Sequence, residues 1–236
     1  MIQYIELRKY NALAANTGYE VLTHHKSLNF DKKRNDIGVI NFDYPLEEAQ
    51  ALGLDEDALI GVVIGFDNGT VSEVERYLLS STSDEKVVDA QRFLSIAGES
   101  TLSILKEAMV YPSNWPTTEP TGHEFIDNNI GTIFRTLILR AKNRGGLVPV
   151  VETGFSGTLD SNGVAWDNIY STTYASGTNY WQIISDRAVI GLADVSMTGW
   201  NLNITNGGAM GSHISIDTLE VRPEERHGHG DQHQSC

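Results

Sequence analysis

The sequence is poor in cysteine, in basic charge and in long apolar runs, and each scarcity excludes something. Of its 236 residues one is a cysteine, Cys236, so an intrachain disulfide and a multi-cysteine zinc site are excluded. Lys and Arg number 17 against 31 Asp and Glu, a formal net charge of −14, which argues against a chain whose main work is gripping nucleic acid. No stretch approaches the roughly 18 consecutive apolar residues that span a bilayer. The opening MIQYIELRKYNALAAN has no basic segment followed by an apolar core, so it does not read as a secretory signal. What is present is 40% hydrophobic residues, 20% charged residues and 22 glycines, the composition of a folded chain with a sizeable core.

The charge is unevenly distributed. Residues 1–35 carry net +3, residues 36–100 net −11 and residues 101–236 net −6. The basic groups cluster at Lys32, Lys33 and Arg34, and the acids crowd Glu47, Glu48, Asp55, Glu56 and Asp57. The bland reading is a solvated loop and helix face. The sharper one is that Lys32, Lys33 and Arg34 meet the acidic segment of a neighbouring subunit, since complementary patches fix register.

The first hundred residues read as strands: Tyr4–Arg8, Tyr19–Thr23 and Ile37–Tyr44, with a short helix Leu46–Leu52 after Pro45. A meander follows. Leu59–Phe66 turns through Asp67-Asn68-Gly69, a hairpin signal, into Val71–Ser80; Ser81–Lys86 reads as a turn and Val87–Ala97 as the returning strand. Beyond Gly98 the spacing predicts a helix over Glu99–Ala108, a proline-rich loop over Tyr111–Gly122 and a long helix over His123–Asn143 closed by Gly145-Gly146. A short strand Leu147–Glu152 and a Gly/Ser/Asp-rich loop precede a helix Asn179–Leu192. A hairpin, Asp194–Met197 into Trp200–Ile204, and a last strand Ile214–Val221 complete the reading. The expected fold class is α+β and strand-dominated, a β-barrel or sheet domain with helical and hairpin segments. The expected division is 1–98 as a β-rich domain, 99–222 as an α+β domain and 223–236 as a polar, His-rich tail.

No chemistry declares itself. Gly207–His213 is glycine-rich but lacks the lysine and spacing of a phosphate loop. Asp160-Ser161-Asn162-Gly163 lacks the terminal carboxylate of a calcium loop and reads as a turn. His24-His25 read as satisfied polar groups, and the tail histidines His227, His229 and His233 lack a rigid shell to make a metal site. Glu47-Glu48 and Asp55–Asp57 do not form an acid/base pair, because adjacent residues on a helix do not face each other. Trp181 and Trp200 fall at core positions, which leaves Trp115, among prolines, as the candidate contact residue. The expectation is a non-enzyme with no catalytic residue, cofactor or metal.

The order of segments resembles the minor tail proteins, or baseplate hubs, of long-tailed siphophages infecting Gram-positive bacteria. The residues that carry the likeness are Phe93–Leu105 running into Met109-Val110-Tyr111-Pro112, then His123–Gly131 with Arg144-Gly145-Gly146-Leu147, then Asn179–Ile184 through Ala193–Met197. Tyr4–Arg8 and Asn35-Asp36-Ile37-Gly38 fit as well. The resemblance implies a tube-like β-domain around the tail axis and a structural, tail-tip role in the virion. Its implied partners are further copies, as a trimer, together with the distal tail protein, tail tube, tape measure protein and tail fibre or receptor-binding proteins. No stable nucleic-acid binding and no transmembrane segment are expected. The other reading is a receptor- or glycan-binding module of the virion, with Trp115 as its contact. Members of that family usually continue into a further β-domain past the position of Val221.

Overall fold

The structure is a computed structural model that describes residues 1–11, 18–88, 91–111, 122–189 and 192–207. Seven strands form one antiparallel sheet: β1 (Ile2–Tyr10), β2 (Tyr19–Leu22), β3 (Lys26–Phe30), β4 (Val39–Pro45), β5 (Leu59–Phe66), β6 (Val71–Val88) and β7 (Gln91–Ser100). Their spatial order is β2-β1-β5-β6-β7-β4-β3. Alternation selects the faces: Leu7, Leu22, Leu28, Phe30, Ile40, Phe42, Tyr44, Ile60, Val62, Tyr77, Leu79 and Ile96 share one apolar cluster. All seven strands feed it, including the two edges, so the sheet is curled around its own core. Helix α1 (Leu46–Leu52) adds Ala49 to that cluster.

The strand β5 is buried on both faces. Its Leu59, with Tyr10 of β1 across the pairing, belongs to a second cluster. That cluster also takes in Ile37 from the loop between β3 and β4 and is otherwise built after residue 100, from a 3-10 helix Thr101–Lys106, strand β8 (His123–Asn129), helix α2 (Ile130–Asn143), strand β9 (Ile169–Tyr174), helix α3 (Tyr180–Val189) and the hairpin β10 (Ala193–Thr198) with β11 (Asn201–Asn206). Strands β8 and β9 pair with each other, as do β10 and β11. Helix α2 buries Ile130, Ile133, Phe134, Leu137, Ile138 and Ala141, and the Asn129 side chain caps it by accepting from the Thr132 N–H at 2.8 Å.

The chain is thus strand-dominated α+β, as its patterning predicts, and the hairpins at Asp67–Gly69 and Thr198–Trp200 fall where expected. Several elements differ. His123–Asn129 is a strand, because only His123 and Phe125 alternate inward and their partner is the distant β9. Ser81–Lys86 is no turn: β6 runs on to Val88, its backbone paired to β7. The Glu99–Ala108 helix is a single 3-10 segment preceded by the last residues of β7. Leu147–Glu152 makes only an isolated bridge, Val151 to Asn201, since Leu147 sits at φ 51° and Pro149 interrupts the ladder. The expected strand Ile214–Val221 and the tail 223–236 lie outside the described residues.

Candidate functional site

The seam between the outer face of the sheet and the second cluster is where polar side chains converge. Sheet strands put Tyr10, Gly61 and Arg76 on that face, because β1, β5 and β6 pair in register there. The Arg76 guanidinium donates to both Glu73 carboxylate oxygens, at 2.7 and 3.0 Å, and lies 4.1 Å from the centroid of the Tyr10 ring. The Tyr10 hydroxyl donates to the same carboxylate at 2.5 Å. Burial, that hydrogen bond and the Glu73 charge push the Tyr10 hydroxyl up to about 12. Gly199, in the turn between β10 and β11, rests against the Arg76 guanidinium, and its carbonyl accepts from the Thr101 hydroxyl at 2.7 Å.

A second clasp comes from the loop between β3 and β4. Arg34 pairs with Asp194 on β10, its Nε 3.1 Å from Oδ1. Asn35 donates its amide N–H to the Val195 carbonyl at 3.2 Å and accepts from the Val195 N–H through its side-chain oxygen at 2.6 Å. Its side-chain nitrogen reaches Asp194 at 2.8 Å. Asn35 adopts φ 56°, a conformation asparagine tolerates better than most residues.

The basic cluster singled out from sequence is therefore held by partners within the same chain. Lys32 donates to the Val74 carbonyl at 2.8 Å and sits 3.8 Å from the Glu75 carboxylate. Lys33 lies 3.5 Å from Asp31 and 3.7 Å from Asp36. Trp115 lies outside the described residues. His24 contacts Glu48 at 2.7 Å and His25 contacts the Leu22 carbonyl at 2.9 Å, both as satisfied polar groups. Asp160 organises a turn, accepting from the Asn162 and Val164 N–H groups at 2.9 Å each.

Beside the seam opens a cleft of about 460 Å³, floored by Leu78, Ile104, Leu147, Pro149 and Trp200 and flanked by Glu56, Asp57, Glu99 and Glu107. Lys106 there is paired with Glu99 at 2.7 Å. Ser80 and Ser103 line the cleft, yet among the described residues no histidine does, so they present no serine–histidine pair for nucleophilic attack. Among the described residues no three His, Cys, Asp or Glu side chains gather as a metal site, and no helix is long and apolar enough to cross a membrane. Sheet edges stand out instead: among the described residues β2 and β3 each have one side with no strand partner, and Tyr19 and Val21 on β2 are exposed.

The solved tail protein from Neisseria meningitidis MC58 is similar over 85% of this chain and 49% of its own length, at 12% identity and a TM-score of 0.50. The fold is that of a phage tail protein. Prophage tail protein gp18 from Listeria monocytogenes EGD-e is similar over 86% of this chain and 50% of its own, at 13% identity and a TM-score of 0.47. A chain of the Francisella PdpA–VgrG complex is similar over 86% of this chain and 32% of its own, at 10% identity and a TM-score of 0.42. The chain spans about half the length of the two tail proteins. No protein-family model and no curated protein sequence matches it.

Sequence reasoning did not identify Asp194, Asn35, Glu73 or Arg76 as seam residues. The positive charge of Arg34 was visible, but the residue it faces is 160 positions away.

Proposed function

We propose that the chain is a structural component of a phage tail, a minor tail protein or baseplate hub at the tail tip, acting by assembly and not by catalysis. The observation that carries the reading is the likeness to the Neisseria tail protein, which extends over 85% of the chain and so takes in both the curled sheet and the elements after it. In this reading the division near Gly98 separates a tube-like domain facing the tail axis from an outer domain. Copies associate as a trimer, with the distal tail protein and tail tube on one side and fibre or receptor-binding proteins on the other. The outer edges of β2 and β3, which no strand among the described residues pairs, suit backbone pairing with a neighbour. An acidic chain of this kind would let DNA pass without holding it. Sedimentation velocity over a wide concentration range tests the assembly: a concentration-dependent trimer, ring-shaped in electron micrographs, is expected. A monomer at every concentration would sink the proposal.

A further inference from the structure

Four arginines outside the seam, Arg135, Arg140, Arg144 and Arg187, have no carboxylate partner among the described residues, and neutral groups hold the last three. Arg144, just past the end of α2, contacts the Met109 carbonyl at 3.3 Å and the Tyr180 hydroxyl at 3.4 Å, and lies 4.7 Å from the Tyr111 ring centroid. Arg140, one turn earlier, contacts the His123 Nδ1 at 2.8 Å. Arg187 on α3 donates to the Tyr174 hydroxyl at 3.3 Å and the Thr172 hydroxyl at 3.2 Å, with the Tyr170 ring 5.7 Å away. His123 pairs with Tyr174 across β8 and β9, so Arg140, His123, Tyr174 and Arg187 form one continuous band, with Arg144 beside it.

These cations are held in place by neutral groups. Burial, and then the charge of Arg144, pull Arg140 below the ordinary arginine range, with Tyr180 opposing. The C-terminus of α2 favours positive charge at Arg140 and Arg144, but it does not account for Arg187. Glu107 lines an open cleft with Arg144 and Tyr111 yet makes no ion pair among the described residues. The chain as a whole is acidic, with a net charge of −14. An arginine band that no carboxylate among the described residues neutralises is, on such a chain, a surface prepared for an acidic partner.

The complementary surface is on the same chain. Glu47, Asp55, Glu56 and Asp57 are exposed, and no cation among the described residues pairs with any of them. We infer that the arginine band of one copy receives the Glu47 and Asp55–Asp57 carboxylates of the next. This inference rests on the proposed assembly and replaces Lys32, Lys33 and Arg34, whose charges are met within the chain, as its cationic side. A patch of each sign on one chain lets identical copies join head to flank, and the charges set register and association rate.

The test is a charge swap on the full 236-residue chain. One variant carries Arg140→Glu with Arg144→Glu, the other Asp55→Lys with Glu56→Lys, and thermal unfolding checks that each is folded. Wild-type self-association is expected to weaken about tenfold or more between low and high salt. Each variant alone should lose a similar factor, and a chain carrying all four substitutions, which restores opposite charge at every interface of a ring, should associate again. A wild type that trimerises equally well at high salt, or variants that trimerise like it, would overturn the inference while leaving the tail-hub reading standing. A folded four-substitution chain that fails to recover would overturn the pairing of these two surfaces. A wild-type chain that stays monomeric fails both readings. If that monomer binds polyphosphate and the Arg140/Arg144 variant does not, the band belongs to an anionic polymer and the second-copy assignment is wrong.

Discussion

Arg34 and Asp194, 160 residues apart in sequence, are joined side by side, with the Arg34 Nε 3.1 Å from the Asp194 Oδ1. The Asp194 side chain is 5% exposed and that of Arg34 22%, so the pair is asymmetric. Removing the guanidinium leaves a buried carboxylate with the Asn35 amide as a remaining donor. Removing a partner from such a pair is costly because the other charge stays in a poor solvent. Arg34→Ala is therefore expected to destabilise the fold by about 2–3 kcal/mol. Urea unfolding measures this, and a loss within experimental scatter would show that the clasp is ornamental to stability.

Gly131, in the first turn of α2, has no room for a side chain. A Cβ there would run into the Ser156 carbonyl oxygen and the Trp166 indole, which are hydrogen-bonded to each other at 3.0 Å. In an exposed helix Gly→Ala gains about 1 kcal/mol. Here overpacking opposes that gain, and Gly131→Ala is expected to be destabilising by about 1–3 kcal/mol net. A thermal melt in which the alanine variant equals or exceeds the wild type would contradict the packing argument.

These contacts also mark where sequence patterns stop being informative. Local signals were readable: Pro45 before α1, Asn68-Gly69 in the β5–β6 turn, and the apolar stripe of α2 from Ile130 to Ala141. His123–Asn129 was obscured because Phe125 and Ile126 continue that stripe backward, although Ile126 is 64% exposed. The strand forms because β9, some forty residues on, supplies its partner. Ser81–Lys86 reads as a turn from its polar residues, yet backbone pairing to β7 extends the strand regardless of side-chain polarity. The strand-dominated class was legible because it depends on alternation. The seam was not, because Arg34 and Arg76 look like any other arginine in sequence; only the fold assigns them Asp194 and Glu73.

Glu75 gives the fold a pH dependence of definite sign. It projects from β6 with Tyr77 toward the curled sheet's interior and is 5% exposed. Burial pushes its carboxyl up to about 7; the Lys32 ammonium, 3.8 Å away, and the Arg76 N–H pull it down, and Glu73 pushes it further up. The folded state therefore binds this proton more tightly than the unfolded chain, whose value is near 4.5. Its contribution is complete below about pH 4.5 and is lost as the pH rises through about 7, a difference of about 3 kcal/mol. Glu75→Gln keeps the shape and removes the titration. The variant and the wild type should have similar urea midpoints near pH 4.5, and the variant should be the more stable at pH 8. His123 acts in the opposite direction: burial first, and then Arg140, lower it to about 4, so its contribution is present above about 6.5 and lost as the pH falls through about 4. That term is common to both proteins, so their difference isolates Glu75. An equal gap between them at pH 4.5 and pH 8 would mean that Glu75 carries its charge at no cost.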